Sequence, residues 1–419
     1  MKNSWHLHPA LLLVLFFSLS ACAPGAGIFA GGNWQSSGLS HQHIRTLEVD
    51  PNNSRVIYAG DAQDGVFVSN DSGQHWTQRN PGLPLPLAIQ LLAVDGSGKK
   101  LYAATDKGLF VSADAAQNWQ SVGAVNTDVS YTALAFDFSA PHTIYAGTQH
   151  QGVLVSTDDG HSWASGSNGL PVGVAINGLA FDSVRHQLWA ATASGIYRSD
   201  DRGATWRAFN SGLPPNTIVY DVQPASVSGG AQNLIFAGTN FGFFRSEDAG
   251  AHWTRGQEAF SGTRIHQVLV DFRTPTTIYL ATDAGAFRSD NSGQTWGGIA
   301  SGLPKGSPVY ALTFGADSYS QLYAAVNDVY LYPGSSGGLT ITRLIPILLI
   351  LLFFYLLYRL VTRTRRRSQQ IFASGQRDEE PSLGPLSTSS EAVPQDRAQL
   401  NGIQPAPQRQ EAAGDDKDT

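Results

Sequence analysis

The feature that most constrains the fold of this chain is an eight-residue pattern, Ser-x-Asp-x-Gly-x-x-Trp, that recurs at nearly constant spacing. The residues at its third position follow one another at intervals of 43, 44, 43, 47 and 43 residues. Such a period indicates that one small unit is stacked many times, because a single unit cannot bury its own apolar surface. The third-position residues are Asp71, Asp114, Asp158, Asp201, Asp248 and Asn291.

Short apolar runs precede every copy of this pattern. They combine branched, aromatic and small residues over five or six positions, and Gly, Asn and Asp separate them. Runs of this kind predict β-strands joined by turns. Each unit then supplies four antiparallel strands, of which the innermost resembles LAFD and the second IYAGT. One such sheet is apolar on both faces, so we expect the units to pack radially as the blades of a β-propeller.

The number of blades follows from the two ends of the repeated region. Inner and second strands of a seventh unit are predicted within residues 309–326, and residues 329–332 can form its third strand, but no fourth strand with a Trp follows. The segment Gly32–Leu39, which contains Trp34, resembles the unit endings Trp206–Pro214 and Trp296–Pro304. We therefore expect an all-β, seven-bladed propeller over residues 32–333, closed when the strand at Trp34 pairs with residues 327–333. Closure of this kind removes free sheet edges.

The repeated pattern is an Asp-box, and on it residues 32–333 resemble the BNR/Asp-box propellers. That superfamily includes sialidase-like, xyloglucan-cleaving, sortilin-like and photosystem II assembly factor-like proteins. The box is expected to be a turn in which the Asp carboxylate accepts backbone N–H bonds and Gly takes a left-handed conformation. Six copies with one role indicate that these Asp residues are structural. Ala116 replaces Gly in the second box, so a distorted turn is expected there.

Residues that depart from the repeat are better candidates for function. At the start of the inner strands the residues are polar and differ from copy to copy, and we expect them to ring one mouth of the central channel, where propellers bind ligands. The alternative is that they are only the solvated ends of strands around a water-filled channel. The series is Arg45, Gln90, Thr132, Asn177, Tyr220, His266 and Tyr310, joined by His43 and Arg264.

The sequence leaves binding and enzymatic functions open, and it favours binding. A sialidase needs an arginine triad with Tyr and Glu partners, and the predicted propeller contains only Glu48, Glu247 and Glu258. A glycosidase needs two carboxylates at a defined separation. Asp128 and Asp221 are candidates, but nothing pairs them. We expect no catalytic residue and a scaffold that binds a protein or a glycan, with an Asp-box glycoside hydrolase as the alternative.

Cofactors and nucleic acids are not indicated. The single cysteine, Cys22, cannot form a Cys-based zinc site or an iron–sulfur cluster, and no His-Glu-x-x-His run or phosphate-binding glycine loop is present. No basic stripe interleaved with aromatic residues occurs in the predicted propeller. We therefore expect neither a metal nor a cofactor, and no nucleic-acid partner.

The first residues are typical of an export signal. Lys2 precedes an apolar run, residues 10–19, which is too short for a stable membrane span. Residues 1–22 are therefore predicted to be a signal peptide. The end of the run resembles a bacterial lipobox, which would make Cys22 a site of lipidation, and it equally fits an ordinary cleavage site.

A second apolar segment, residues 341–361, has the length that a transmembrane helix needs. Arg363, Arg365, Arg366 and Arg367 follow it directly, which places the C-terminus in the cytoplasm and the propeller outside. Residues 362–419 are polar and poor in aromatic residues, so a disordered tail is predicted. The expected partners are the cell membrane, crossed once, and an unidentified protein or glycan.

Overall fold

The computed structural model describes residues 33–39, 43–95, 97–123, 129–225, 233–256, 260–315, 321–333, 353, 355, 356, 358 and 359. Within these residues, 28 strands form seven four-stranded sheets, and every strand pair is antiparallel. The chain divides into two compact units, Met1–Gly338 and Leu339–Thr419, and the first contains all 28 strands. The predicted all-β architecture of seven blades is therefore confirmed.

Blades 1 to 6 are each built from four consecutive strands, which run in chain order from the innermost to the outermost. Blade 1 contains β2 (Ile44–Val49), β3 (Ile57–Asp61), β4 (Val66–Ser69) and β5 (Thr77–Gln78); blade 2 contains β6 (Ile89–Val94), β7 (Leu101–Thr105), β8 (Gly108–Ser112) and β9 (Gln120–Ser121); blade 3 contains β10 (Tyr131–Phe136), β11 (Ile144–Thr148), β12 (Val153–Ser156) and β13 (Ala164–Ser165). Blade 4 contains β14 (Ile176–Asp182), β15 (Gln187–Thr192), β16 (Gly195–Ser199) and β17 (Arg207–Ala208); blade 5 contains β18 (Val219–Pro224), β19 (Ile235–Thr239), β20 (Gly242–Ser246) and β21 (Thr254–Arg255); blade 6 contains β22 (Ile265–Val270), β23 (Ile278–Thr282), β24 (Gly285–Ser289) and β25 (Gly297–Gly298).

Blade 7 joins the two ends of the propeller. Its strands are β26 (Ala311–Phe314), β27 (Leu322–Ala325), β28 (Val329–Tyr332) and, outermost, β1 (Gln35–Ser36). In this sheet Gln35 pairs with Leu331 and Ser36 with Tyr330. The inner strand of each blade lies beside the inner strand of the next, and β26 lies beside β2, so the ring is complete. The predicted closure by the N-terminal strand is confirmed.

The second strand of every blade is buried along its length, apart from the half-buried Gln187 that begins β15, because both of its faces are covered by neighbouring blades. Small residues stand where the blades approach most closely. A Cβ atom added to Gly60 would lie 2.5 Å from Cγ2 of Ile89, and one added to Gly147 would lie 2.6 Å from Cγ2 of Ile176, each on the inner strand of the next blade. The repeated Ala-Gly and Ala-Ala pairs of the sequence thus set the spacing between blades.

Predictions about the termini concern residues outside the described part of the chain. These are the signal peptide over residues 1–22, lipidation at Cys22 and the disordered tail over residues 362–419. The predicted transmembrane segment, residues 341–361, is described only at five positions. Within the described residues, no helix has the length and apolar character required to cross a bilayer.

Candidate functional site

Six of the seven predicted mouth residues occupy the same irregular position in their blades. The pairing between inner and second strands slips by one residue at this point, for example between Ile44 and Thr46. A bulge of this kind leaves one residue out of the ladder and redirects its side chain. The bulge residues are Arg45, Gln90, Thr132, Asn177, Tyr220 and His266. In blade 7, Tyr310 directly precedes β26 and donates its N–H to the Ala325 carbonyl at 2.9 Å.

Four of these residues form a continuous stack across blades 5, 6, 7 and 1. The rings of Tyr220 and His266 lie 6.4 Å apart, and those of His266 and Tyr310 lie 5.3 Å apart. The guanidinium of Arg45 lies over the Tyr310 ring, 4.4 Å from its centroid. At the other end, Arg264 lies over the Tyr220 ring at 4.9 Å. We call these five residues, Arg45, Tyr310, His266, Tyr220 and Arg264, the arginine–tyrosine shelf.

The other three predicted mouth residues are uncharged, and two of their side chains are used within the fold. Thr132 Oγ1 donates to the Ile176 carbonyl, and Asn177 Nδ2 donates to the Val219 carbonyl at 2.7 Å, so each links its blade to the next. Gln90 is exposed. The structure therefore divides the predicted ring into a charged, aromatic half and a half that mainly holds blades together.

His43 belongs to the rim of the mouth and not to the stack. Its backbone N–H donates to Asp61 Oδ2 at 2.6 Å, and its carbonyl accepts the N–H of Ala62 at 3.0 Å. These bonds fix the backbone while the side chain remains exposed. His43 adds a polar side chain beside Arg45, two residues away.

The central residue of the shelf, His266, is held by a carboxylate. Its Nε2 lies 2.7 Å from Oδ1 of Asp283, whose side chain is about half exposed. The pKa of His266 is lowered overall, mainly by burial. The hydrogen bond and charge of Asp283 oppose this shift, and the charges of Arg264 and Arg45 add to it. The imidazole is therefore held mainly neutral at pH 7 and donates to Asp283, while the fixed positive charge of the shelf comes from its two arginines.

The two arginines are not neutralised by nearby acidic groups. Within the described residues, neither Arg45 nor Arg264 forms an ion pair. Asp61, at the end of β3, is already engaged, because its carboxylate accepts backbone N–H bonds from His43, Gln63 and Asp64. Stacking leaves the N–H groups at the guanidinium edges available to accepting groups of a ligand.

The six Asp-boxes keep one geometry. In each, Ser Oγ donates to the carboxylate or amide oxygen of the third residue at 2.8–2.9 Å, and that oxygen accepts the N–H four residues further on at 2.7–2.9 Å. Hydrogen bonds from Ser162 lower the pKa of Asp158 to about 2. The carboxylates of the boxes therefore serve their own turns.

The expectation of a distorted second box is wrong. Ala116 adopts a φ of 64° and donates its N–H to Ser112 Oγ at 2.9 Å, just as Gly160 donates to Ser156 at 2.8 Å. Its methyl group is fully buried in the cluster that contains Tyr58. The turn is preserved because the neighbouring blade leaves room for this Cβ atom.

Asp221, one of the two candidate glycosidase residues, holds two blades together. Its Oδ2 accepts the N–H of Val268 at 2.8 Å, and its Oδ1 accepts from Gln223 at 3.0 Å. Thr46 and Gln267, one residue after the bulge in their own blades, bond the next blade in the same way. Burial raises the pKa of Asp221 to about 6. The other candidate, Asp128, lies outside the described residues.

Sequence reasoning missed an apolar concavity at the opposite end of the inner strands. It has a volume of about 190 Å³ and is lined by Phe136, Phe181 and Pro224, with the exposed rings of Phe138 and Phe272 at its edge. A Phe after the Asp that ends the inner strand, in blades 3 and 6, was the available signal. The acidic residue of its lining, Asp182, is bound by the N–H groups of Val184 and Arg185 and by the Arg185 side chain. The shelf is therefore the better candidate for a charged or polar ligand.

No metal site is found among the described residues, where no three His, Cys, Asp or Glu side chains are grouped to hold an ion. The His residues of the boxes are engaged by their own turns: His75 Nδ1 lies 2.6 Å from Asp71 Oδ2, and His252 Nδ1 lies 2.7 Å from Asp248 Oδ2. These pairs are exposed and local.

Comparison with known proteins places this geometry among other propellers. Residues 31–183 match the family described as DUF6242 beta propeller domain. Over 330 residues the chain is 26% identical to a xyloglucanase of Hypocrea jecorina, an alignment that covers 74% of this chain and 36% of the xyloglucanase. Over 76 residues it is 36% identical to vacuolar protein sorting/targeting protein 10 of Laccaria bicolor, which covers 18% of this chain and 5% of that protein. The chain thus spans only about a third, or far less, of these relatives.

Among solved structures, the fold is similar to YCF48 from Cyanidioschyzon merolae. The TM-score is 0.55 at 13% sequence identity, and the match covers 73% of this chain and 99% of YCF48. A second structure, of YCF48 bound to D1 peptide, matches with a TM-score of 0.57 at 14% identity, over 75% of this chain and 98% of that one. These values indicate a shared fold.

Proposed function

We infer function from the premise that this chain is a BNR/Asp-box-type seven-bladed β-propeller with xyloglucanase and Vps10 sequence relatives, and we propose that it is a binding scaffold whose ligand lies on the arginine–tyrosine shelf. The observation that carries the proposal is the asymmetry of the mouth. The repeated position is filled by stacked Tyr, His and Arg residues in four adjacent blades, by the fold-linking Thr132 and Asn177 in blades 3 and 4, and by an exposed Gln in blade 2. A structural requirement common to all blades would not produce this difference.

The ligand class in this proposal is a protein or a glycan. Arginine and tyrosine are the residues that most often dominate recognition surfaces, because they combine a large contact area with directional donors. The fold also occurs in YCF48, of which a complex with D1 peptide is known. A propeller mouth presents several blades to one ligand, so contacts from separate strands can act together.

We further propose that the scaffold is exported and anchored by a single membrane span, with the propeller outside and the tail in the cytoplasm. The support is the sequence: an apolar segment at residues 341–361 followed by four arginines within six positions. Protease treatment of intact cells tests the orientation. Degradation of the propeller with protection of the tail is expected, and the reverse pattern would contradict the proposal.

The binding proposal is tested by crosslinking the full-length protein in its native cells and identifying what is captured. Arg45→Ala, Tyr220→Ala and Tyr310→Ala combined should abolish capture of the specific partner. Gln120→Ala with Arg207→Ala, on exposed outer strands, is the matched control and should leave capture unchanged. Equal capture by the wild-type protein and the triple variant would refute a site at the shelf.

Glycoside hydrolysis is the second candidate function, and the similarity to a xyloglucanase favours it. Against it stands Asp221, which is occupied by the N–H of the neighbouring blade. The test is release of reducing sugar from a panel of polysaccharides that includes xyloglucan. Release that is lost in Asp221→Asn or Asp128→Asn would establish the hydrolase, and we expect no release by the full-length protein.

A further inference from the structure

The arginine–tyrosine shelf also indicates the chemistry of its ligand, and this inference rests on the proposed binding function. We propose that the shelf recognises a polypeptide segment bearing at least two carboxylates, which the guanidinium groups of Arg45 and Arg264 bind from either side of His266. The geometry that leads to this assignment is the sequence of contacts from Arg45 through Tyr310, His266 and Tyr220 to Arg264.

Both arginines of the shelf are held in a fixed orientation. An arginine stacked on an aromatic ring keeps its guanidinium plane fixed, so its edge N–H groups are presented with little loss of side-chain entropy. A carboxylate accepts two of these N–H groups at once, which adds geometric selectivity to the charge attraction. Arg45 and Arg264 are both exposed, and both are stacked. The shelf therefore holds two preoriented carboxylate receptors.

The charge of the shelf is positive. Asp283 carries a carboxylate beside the shelf, and it is bound to His266 at 2.7 Å. Asp61 is buried and accepts backbone N–H bonds, while Asp106 accepts the N–H of Ala88 at 3.0 Å. Two guanidinium charges thus face one carboxylate charge, so the shelf keeps a net positive charge on a chain whose formal net charge is −6. A local positive site on an acidic protein selects an anionic ligand by complementarity.

The aromatic rings of the shelf favour a polypeptide over a sugar. Sugars bind proteins by packing a face of the ring on an open aromatic face. Tyr310 has Arg45 over its ring and a tilted contact with His266, and Tyr220 has the same arrangement with Arg264 and His266. These stacking positions are already filled, so what remains is the donor edges of the arginines. An extended acidic peptide fits such a surface, because alternate side chains project on one side about 6–7 Å apart.

The experiment measures fluorescence anisotropy of labelled peptides with the full-length protein in nanodiscs. The probe is a twelve-residue peptide of alternating Glu and Gly, the neutral comparison replaces each Glu with Gln, and an oligogalacturonate serves as the acidic glycan. We expect the Glu peptide to bind at least about tenfold more tightly than either comparison, and binding to weaken as salt is raised from 50 to 300 mM.

The variants locate this binding. Arg45→Gln and Arg264→Gln keep much of the side-chain length and remove charge, and each should weaken binding of the Glu peptide by about tenfold or more. Arg207→Gln, on the exposed outer strand β17, removes the same charge elsewhere and should have no effect. Circular dichroism of each variant confirms that the propeller is folded.

Three outcomes would overturn the inference: equal binding of the Gln peptide, tighter binding of oligogalacturonate, or no binding of any probe. A fourth would do the same, namely Glu-peptide binding that Arg45→Gln and Arg264→Gln leave intact. None of these would by itself refute the scaffold proposal, which fails only if crosslinked partners are unchanged in the triple alanine variant. The two proposals are therefore separable.

Discussion

Individual residues of this propeller are shaped most strongly by what the adjacent blade places next to them. Glu48 is an example, because its carboxylate on β2 accepts the N–H of Val94 on the inner strand of blade 2, at 3.3 Å. Burial raises the pKa of Glu48 from 4.5 to about 7, and the bond from Val94 only partly opposes this. The ionised form is therefore unfavourable in the folded state.

This pKa shift predicts that Glu48→Gln changes the stability of the fold by an amount that depends on pH. Between pH 4.5 and 7 the folded state retains a proton that the unfolded state has lost, so wild-type stability falls as pH rises through that window. The variant keeps the acceptor oxygen and has no charge. We expect the free energy of unfolding of Glu48→Gln to equal that of wild type near pH 4.5 and to exceed it by up to about 3 kcal/mol at pH 8.

The measurement is urea unfolding of full-length wild type and Glu48→Gln at both pH values. Glu247→Gln, at an exposed position of the fifth box, controls for the amide substitution itself. A difference between Glu48→Gln and wild type that is the same at pH 4.5 and pH 8 would contradict a buried, titrating carboxylate.

The glycines of the boxes provide a second prediction at the residue scale. Gly73 and Gly250 have nearly equal φ values, 86° and 87°, but a Cβ atom would meet its nearest neighbour at 3.4 Å in the first and Cη2 of buried Trp189 at 2.5 Å in the second. Left-handed alanine alone costs about 1–2 kcal/mol. We expect Gly73→Ala to lower the free energy of unfolding by about that amount. Gly250→Ala should lower it by about 2 kcal/mol more, because its methyl group overpacks the core.

Calorimetric unfolding of the two glycine variants side by side checks this difference. Equal losses would show that the conformation, and not the neighbouring blade, limits what the box accepts. Ala116, which occurs naturally at this position with a φ of 64°, already indicates that some boxes tolerate a methyl group. Its tolerance could not be predicted from the sequence, because the space beside it depends on packing between blades.

At the scale of elements, the sequence predicted the strands and missed how blades are fastened to one another. Four Trp residues donate both their N–H and their Nε1–H to the end of the preceding blade: Trp34, Trp119, Trp206 and Trp253. These are the junctions whose connecting loops contain Gly-Leu-Pro. In each the Gly has a φ of 91–94°, and a Cβ atom there would lie 2.1–2.4 Å from the Trp carbonyl oxygen. The repeated motif is therefore an inter-blade clamp.

The clamp predicts unequal effects of one substitution in two blades. Trp206 Nε1 donates to the Gly166 carbonyl at 2.7 Å in a buried position, whereas the buried Nε1 of Trp163 has no hydrogen-bond partner within the described structure. Trp206→Phe should lower the free energy of unfolding by about 1–2 kcal/mol more than Trp163→Phe does, because it leaves the buried Gly166 carbonyl without its hydrogen-bond donor. Thermal unfolding of both variants measures the difference. A loss in Trp163→Phe equal to or larger than that in Trp206→Phe would contradict the clamp.

The candidate site could likewise be predicted as far as its strands, but not as far as the contacts between blades. Strand periodicity fixed the position of the mouth residues along the chain, and each of the six bulges falls at a predicted residue, from Arg45 to His266. Which of them would touch could not be predicted, because the stack depends on how blades 5, 6, 7 and 1 turn against one another. The carboxylate of Asp221 resembled a catalytic candidate in sequence for the same reason: its partner, Val268, is 47 residues away.

At the scale of the whole molecule, five residues near the N-terminus hold the ring together. Asn33 accepts from Ser301 Oγ at 2.7 Å and Trp34 donates its N–H to the Ser301 carbonyl at 2.9 Å, both beside blade 6. Gln35 and Ser36 pair with β28 in blade 7. Ser37 Oγ accepts from Trp76 Nε1 in blade 1 at 3.2 Å. The segment thus joins three consecutive blades.

Trp34 is the anchor of this segment, since it is almost fully buried and its ring lies 5.2 Å from that of Tyr332. Trp34→Ala should destabilise the protein by about 3–5 kcal/mol through lost burial. Because β1 is the one strand of blade 7 that comes from the other end of the propeller sequence, the loss should also loosen blade 7 selectively. Hydrogen exchange at the amides of β27 and β28 should accelerate more than exchange in blades 3 and 4.

Trp163→Ala is the matched control, because it removes the same side chain from blade 3, whose four strands are consecutive in the chain. It should lower global stability without a preferential effect on β27 and β28. Mass spectrometry of peptides from the full-length variants under native conditions resolves the two patterns. If Trp34→Ala accelerated exchange uniformly around the ring, the propeller would be held by its blade-to-blade packing, and the N-terminal strand would only fill an edge. A selective effect would identify the two-residue strand β1 as the lock that keeps blade 7, and with it Tyr310 of the shelf, in place.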